Sequence, residues 1–475
     1  MRLTSRSALI NPKNGGSNEN PNSPCATKSC FLPRHSRILP PMVWFFYNML
    51  FVVGFVLLLP HFFKRMWKRG GYRKNFWQRL AFFDAATRRE LADGSRIWIH
   101  AVSVGETYVA FRFMEAMRKA RPELAYVLST TTSTAHAIAR KQMAAPDVLL
   151  YFPVDIPPVM RRMVRLIRPR MLVLVETEFW PNLIRLCRRN DIPVVLINGR
   201  ISQKSFGGYM KLRMFTRRLL PELNAMFMQS EQDRDRIVAL GAPPEKVFVP
   251  GSAKYEIVDR NPEGEALARQ VLRQAGIHEQ ARVILGGSTW AGEEAALLDL
   301  YRELKNDFPA LALIVVPRHF ERADEVIAAI EQRGMTYVRR SQLQGDTIPD
   351  KPVADVLLVD TTGELKNFYA CATVIFVGKS LTVHGGQNVI EPAVCRKPIV
   401  VGPNMENFPA IMEDFLSADA LRQVRDADEL KATIRALLAD ENERTALGAR
   451  AGRLLEEKAG AVDKTLAHVL PLIRS

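Results

Sequence analysis

The stretch Gly378-Lys379-Ser380-Leu381-Thr382-Val383-His384-Gly385-Gly386-Gln387-Asn388-Val389-Ile390-Glu391-Pro392 decides how this chain is read. The apolar run Ala372-Thr373-Val374-Ile375-Phe376-Val377 precedes it, and Pro398-Ile399-Val400-Val401 follows it. The order is strand, glycine loop, short helix, strand. Free backbone N–H groups and a positive helix end are therefore expected at the carboxyl edge of a parallel sheet, where α/β proteins hold phosphates. That edge reads as a nucleotide site, with Lys379 as a mobile cation and Glu391, one turn into the helix, accepting from ribose hydroxyls. The plainer alternative is an ordinary βα turn carrying a solvated lysine.

Outward from this stretch, short β-branched runs alternate with amphipathic stretches from about residue 96. Strands are expected at 97–100, 125–128, 148–151, 171–175, 194–197 and 225–228, and in a second series at 283–285, 311–316, 356–359, 374–377 and 399–401. Alternation of this kind gives doubly wound parallel sheets, here two Rossmann-like domains joined near residues 241–280. Helices at about 428–440 and 442–474 close the chain and are long enough to cross back to the first domain. No Gly-x-Gly-x-x-Gly fingerprint and no P-loop occurs, which disfavours a dinucleotide dehydrogenase and a P-loop kinase.

At 475 residues, 47% of them apolar, the chain can bury two α/β cores and carry an extension. Its five cysteines show neither metal spacing nor a disulfide framework, which suits a reducing compartment. Residues 1–37 are rich in Asn, Ser and Pro and read as a disordered extension. Residues 38–63 carry no formal charge apart from His61 and are long enough to cross about 30 Å of hydrocarbon, so a membrane anchor is expected, spanning or lying in the plane. Lys64, Arg65, Lys68, Arg69, Arg73 and Lys74 follow it, which argues for a C-terminal side on the cytoplasmic face of an inner membrane, against the counterweight of Arg2, Arg6, Lys13, Lys28, Arg34 and Arg37 before it. The net charge of +16 is unevenly spread: +5 over residues 1–63, +17 over 64–240 and −6 over 241–475. Beside a membrane segment, a basic half points to anionic headgroups or a phosphorylated lipid substrate. Nucleic acid is not expected as a partner, because no DNA- or RNA-binding signature accompanies the charge.

Several loops gather at the carboxyl edge of the first sheet. In Trp98-Ile99-His100-Ala101-Val102-Ser103-Val104-Gly105-Glu106-Thr107, a strand runs through a small-residue loop into a helix. Glu106 is placed either to act as general base toward a hydroxyl or to cap its own helix. Val175-Glu176-Thr177-Glu178-Phe179-Trp180-Pro181-Asn182 sets two carboxylates before a helix whose first residue suits Pro181. Ser103 and Thr131 offer hydroxyls, and Arg200, in Asn198-Gly199-Arg200-Ile201-Ser202, offers a guanidinium. In the second domain Gly286-Gly287-Ser288-Thr289-Trp290 ends one strand. Pro317-Arg318-His319-Phe320-Glu321-Arg322 ends the next, with Arg318 suited to a bidentate phosphate contact.

The blocks His100-Ala101-x-Ser103-Val104-Gly105-Glu106, Glu176-Thr177-Glu178-x-Trp180-Pro181-Asn182, Asn198-Gly199-Arg200-Ile201-Ser202, Pro317-Arg318-His319-x-Glu321-Arg322, Gly363-Glu364-Leu365 and Gly385-Gly386-x-Asn388-x-x-Glu391-Pro392 resemble, in order over about residues 40–470, the Kdo (3-deoxy-D-manno-octulosonic acid) transferases of lipopolysaccharide synthesis. The chain departs from that pattern at Gln387, where His is expected, at Lys379, where Gly is common, and at Val102, where Ser is common. The resemblance implies an α/β protein of GT-B architecture with two Rossmann-like domains facing a cleft. Residues 64–250 would bind the acceptor and 251–475, with the C-terminal helices, the CMP-sugar donor. It implies an inverting glycosyltransferase moving Kdo from CMP-Kdo to a phosphorylated lipid A precursor, lipid IVA, with no metal or other cofactor. By matching motif positions, Glu106 would be the base; Pro317, Arg318, Gly378, Lys379, Asn388 and Glu391 would hold CMP, with Ser380 supporting the loop. Ser103, Thr131, Glu176, Glu178 and Arg200 remain acceptor-side candidates.

Three other readings share the fold. A transferase using another nucleotide sugar would bind UDP tightly and CMP weakly, an epimerase would need no membrane segment, and a nucleotide-sensing membrane scaffold would need no Glu106.

Overall fold

The computed structural model describes residues 44–57, 76–92, 96–258, 260–343, 348–349 and 353–473. The chain divides into two compact units, residues 1–47 and 48–475, and both sheets belong to the second.

The first sheet has seven parallel strands, β1 (Arg96–Ala101), β2 (Ala125–Thr130), β3 (Val148–Tyr151), β4 (Met171–Val175), β5 (Val194–Gly199), β6 (Ala225–Met228) and β7 (Val247–Phe248), in the order β3-β2-β1-β4-β5-β6-β7. Every residue of β1, β4, β5 and β6 is buried. Helices on both faces cause this, and it explains why these strands read as continuous apolar runs and not as alternating ones. The second sheet, also of seven parallel strands, contains β8 (Arg282–Thr289), β9 (Leu311–Pro317), β10 (Tyr337–Arg339), β11 (Val356–Leu358), β12 (Val374–Val377), β13 (Ile399–Val401) and β14 (Arg422–Gln423), ordered β10-β11-β9-β8-β12-β13-β14.

All eleven expected strands are present. The structure adds β7, β10 and β14, each at a sheet edge. Edge strands bury little, so a segment such as Tyr337-Val338-Arg339, half-buried throughout, carries no apolar run to betray it.

In each sheet the strand order reverses at the centre, between β1 and β4 and between β8 and β12. Open α/β sheets bind ligands at the carboxyl ends of the strands beside such a reversal. The connections after β1 and β4 carry Ser103, Glu106 at the start of the next helix, Glu176 and Glu178; β8 ends at Thr289, and the loops after β8 and β12 carry Trp290, Gly378 and Lys379.

Of the C-terminal helices, Ala427–Ala439 and Glu441–Lys458 pack on the second sheet through Leu430, Ile434, Leu447 and Leu454. Only the last, Ala461–Val469, crosses back, burying Val462, Leu466 and Val469 with Phe113 and Phe227 in the first core. The Val462 N–H donates to Glu256 Oε1 at 3.1 Å, which fixes the start of that helix.

Of the expected anchor, residues 44–57 form a helix, while 38–43 and 58–63 lie outside the described residues, as do residues 1–37 and the basic cluster at 64–74. Among the described residues no helix is long and apolar enough to cross a membrane.

Candidate functional site

Glu106 lies in the first turn of the helix Val104–Ala120, which begins directly after β1. Ser103 caps that helix: its Oγ accepts from the Glu106 N–H at 3.3 Å, while the Ser103 N–H donates back to Glu106 Oε1 at 3.2 Å. The Val102 N–H donates to Glu106 Oε2 at 2.8 Å. The capping reading is thus correct as geometry, and it aims the carboxylate back across the loop at the reversal point. Each carboxylate oxygen keeps a second acceptor position, so the cap does not consume the group as a base. Glu106 is only 6% exposed. Burial pushes its carboxyl above the ordinary range and the Glu176 charge adds to the push, while the loop N–H groups oppose it.

Glu176 and Glu178 stand on the neighbouring loop. Glu176 adopts φ 59° and pairs with Lys254 Nζ at 2.8 Å. Glu178 has its carboxyl pushed up to about 7, first by burial and then by the charges of Glu106 and Glu176. Three acids therefore share one edge and one nearby ammonium. The Arg200 guanidinium has no hydrogen bond or ion pair among the described residues, although its carbonyl accepts from Thr177 Oγ1. Thr131 Oγ1 is buried without a partner among the described residues. His100 is core rather than site: it is 0% exposed, stacks on Phe152 at 3.8 Å, and burial lowers it to about 3.

At the second sheet one expectation needs correction. The backbone N–H groups of the glycine loop are not free, because Glu293, at the start of the helix Glu293–Asp307, fills them. Its Oε2 accepts from Lys379 N at 2.8 Å, and its Oε1 from Ser380 N and Leu381 N at 2.9 Å each. The Trp290 N–H adds a fourth bond at 2.9 Å. A concave cluster of N–H groups attracts an anion, and here the protein supplies its own. Gly378 makes the approach possible: a Cβ there would lie 2.5 Å from Ser288 O and 2.8 Å from Glu293 Oε2. Ser380 is fully buried and ties the loop together, donating to Val377 O at 2.5 Å and accepting from Gly402 N at 2.9 Å.

With the nest occupied, the cations of this edge are side chains. Lys379 sits at φ 58°, in the left-handed region that glycine enters freely and a residue with a Cβ does not. Its Nζ lies 5.1 Å from the centre of the Trp290 ring. Pro317 ends β9 opposite Thr289, and Arg318 is exposed with its guanidinium unbonded among the described residues. Arg322 from the same block is committed elsewhere, to Glu294 at 2.8 Å and Glu325 at 2.7 Å. Asn388 Oδ1 accepts from Ile390 N at 3.0 Å, starting the short helix Ile390–Val394. Glu391 lies in its first turn. Burial pushes the Glu391 carboxyl up, against a hydrogen bond from Asn388 and the charges of Arg318 and Lys366. Asn388 and Glu391 are thus in hydrogen-bonding reach of each other, and the Arg318 charge acts on Glu391.

Sequence reading missed Glu293, Lys254 and Lys366 as members of these sites, and quoted Trp290 without giving it a role. Glu293 carried a signal, an acid in the first turn of a helix, but that signal reads as a cap. Lys254 carried none.

The sequence profile of the family described as 3-Deoxy-D-manno-octulosonic-acid transferase (kdotransferase) matches residues 74–257. The 3-deoxy-D-manno-octulosonic acid transferase of Haemophilus influenzae is 30% identical over 431 residues, 90% of this chain and 98% of that protein. A bifunctional glycosyltransferase/methyltransferase of Fusobacterium nucleatum is 32% identical over 357 residues, and the match takes in 75% of this chain but only 54% of that protein. Among solved structures, UDP-GlcNAc 2-epimerase from Neisseria meningitidis superposes with a TM-score of 0.52 at 11% identity, covering 79% of this chain and 100% of its own, a likeness of GT-B-like fold alone. The family profile over the first-sheet half, together with 30% identity to the Haemophilus protein across nearly the whole of both chains, places this chain in the 3-deoxy-D-manno-octulosonic acid transferases, a family of glycosyltransferases.

Proposed function

We propose that the protein transfers Kdo from CMP-Kdo to a hydroxyl of a phosphorylated lipid A precursor of the lipid IVA type. Glu106 takes the proton of that hydroxyl, and the freed oxygen bonds to the anomeric carbon. The bond from that carbon to the CMP phosphate oxygen breaks on the opposite face, and configuration inverts. Negative charge passes to the departing phosphate, where Arg318 and Lys379 stabilise it, since preorganised cations contribute most where charge develops. Asn388 and Glu391 hold the nucleoside, and Ser380 and Glu293 hold the loop. On the other side Arg200 and Thr131 are the unbonded groups available to the acceptor. The observation that carries this reading is Glu106 itself, a carboxyl 6% exposed, held at the reversal of the first sheet with its basicity raised by burial.

We further infer attachment to the inner face of the cytoplasmic membrane. Leu50, Val53, Val56 and Leu57 of the helix over residues 44–57 are 66, 51, 55 and 73% exposed, an unusual amount of bare apolar surface. Asn48 of this helix accepts from Asn182 Nδ2 at 2.8 Å, tying it to the first-sheet half. A cavity of about 590 Å³ lined by Arg88, Arg161, Arg162 and Arg165, with Arg162 4.3 Å from the Phe82 ring centre, supports a partner bearing phosphate.

A transfer assay with CMP-Kdo and tetra-acylated lipid A precursor, read by product mass, tests the reaction. Glu106→Gln is expected to lower turnover by a hundredfold to ten-thousandfold, roughly what loss of a general base costs. CMP affinity by calorimetry should stay near wild type. Wild-type turnover in that variant would leave Glu106 as a helix cap.

A further inference from the structure

The second-sheet half carries a net charge of −6 over residues 241–475, yet one of its cavities is lined by cations. It measures about 590 Å³ and lies where the strands begin: Ala281 and Val283 at the start of β8, Ala372 and Thr373 ahead of β12, and Pro398 ahead of β13. The donor loops follow the other ends of the same strands, so the cavity is a separate place on the sheet.

Its cations come from three elements. Arg269 and Arg273 stand four residues apart on one face of the helix Pro262–Gln274, a like-charge spacing that destabilises a helix unless an anion intervenes. Arg396 and Lys397 come from the turn after the helix bearing Glu391, and Arg444 from the helix Glu441–Lys458. Two of the five are committed: Arg396 to Glu456, and Arg444 to the carbonyls of Leu437 and Leu438 at 2.8 Å each. Arg269, Arg273 and Lys397 have no carboxylate within ion-pair distance among the described residues, although Glu279 and Glu441 also line the cavity. Lys397 is half-buried. Burial pushes its ammonium below the ordinary value, the Arg269 and Arg260 charges push the same way, and the Cys371 and Cys395 thiols oppose. The nearby Glu265 carboxylate acts on Arg269 and Lys397 but is itself paired with Arg260 at 2.6 Å, so the partly desolvated ammonium still gains from a further counter-ion.

We propose that this cavity binds a small soluble phosphate-bearing polyanion, a diphosphate in class, held by Arg269, Arg273 and Lys397. Three uncommitted cations exceed what one phosphate monoester neutralises, and the cavity volume accommodates two phosphate groups with a substituent. Guanidinium groups suit the bidentate phosphate contacts, and Lys397 acts as a point charge between them.

Inorganic diphosphate titrated calorimetrically into the full chain saturated with CMP tests this, because CMP keeps the probe out of the donor loops. Wild type should bind it saturably with one site per chain. Arg269→Ser with Arg273→Ser, and separately Lys397→Met, should weaken it at least tenfold while CMP affinity holds, which also shows that each variant is folded. Arg302→Ser removes an exposed arginine from another face and should leave diphosphate binding unchanged. Absence of saturable binding, unchanged binding in the cavity variants, or equal weakening by Arg302→Ser overturns the proposal. So does a pattern in which the cavity variants lose affinity only for phosphatidic-acid vesicles, since the ligand would then be a headgroup and not a soluble diphosphate.

Discussion

Glu178, its carboxyl held at about 7 by burial and by Glu106 and Glu176, makes the folded state bind a proton more tightly than the unfolded state does. Its contribution is therefore fully present below the ordinary carboxyl value of 4.5 and is lost as pH rises through 7, at a cost on the order of 3 kcal/mol. We predict that Glu178→Gln raises the melting temperature at pH 8 and leaves it nearly unchanged at pH 4. An equal gain at both pH values would mean that ionisation is not the cause. Glu106 answers to Glu176 in the same way: the Glu176 charge raises it, so Glu176→Gln should move the acid limb of the pH–rate profile to lower pH. A limb that stays in place or moves up would remove Glu106 as the group titrating there. The individual acids were legible in the sequence, since their positions after β1 and β4 follow from strand placement. Their competition was not, because it arises from burial and from two loops that adjoin only when β1 pairs with β4.

The glycine loop and the helix Glu293–Asp307 form one device at the scale of elements. Glu293 is 0% exposed and bonded to four backbone N–H groups, three of them more than 85 residues away in sequence. In Glu293→Gln one acceptor becomes an NH2 donor facing N–H groups, and each buried N–H left unpaired costs about 1–3 kcal/mol. We predict that this variant loses stability and CMP affinity together. Lys379→Gly should behave oppositely on the first count. It relieves a left-handed conformation costing about 1–2 kcal/mol for a residue with a Cβ, while removing a cation from the phosphate. A higher melting temperature with weaker CMP binding is the expected pair of results, from thermal unfolding and calorimetry. Lower stability in Lys379→Gly would show that the lysine stem on Trp290 matters more than the backbone. The pairing of β8 with β12 puts Glu293 beside this loop. Nothing local announces that pairing, so the loop read as an empty anion nest when it is a filled one.

Across the whole molecule, charge and apolar surface divide the labour. If the proposed membrane attachment holds, the +17 over residues 64–240 against the −6 over 241–475 assigns the attraction for anionic lipid to the first-sheet half, to which residues 48–57 are tied through the Asn182–Asn48 bond. Surface attraction of this kind is screened over about 8–10 Å near physiological salt, whereas apolar insertion is not. The two contributions can therefore be separated. We predict that deleting residues 1–63 shifts the protein toward soluble fractions while leaving a folded, CMP-binding enzyme, because both cores lie beyond residue 63. The truncated chain should still bind acidic vesicles, with affinity falling steeply as salt rises. Reversing Arg88, Arg161 and Arg165 to Glu in it should abolish that residual binding and depress transfer to the lipid acceptor. CMP affinity should not change, since Arg318 and Lys379 stand on the other sheet. Equal binding to neutral and acidic vesicles, or loss of CMP affinity on charge reversal, would break the division between a basic acceptor half and an acidic donor half.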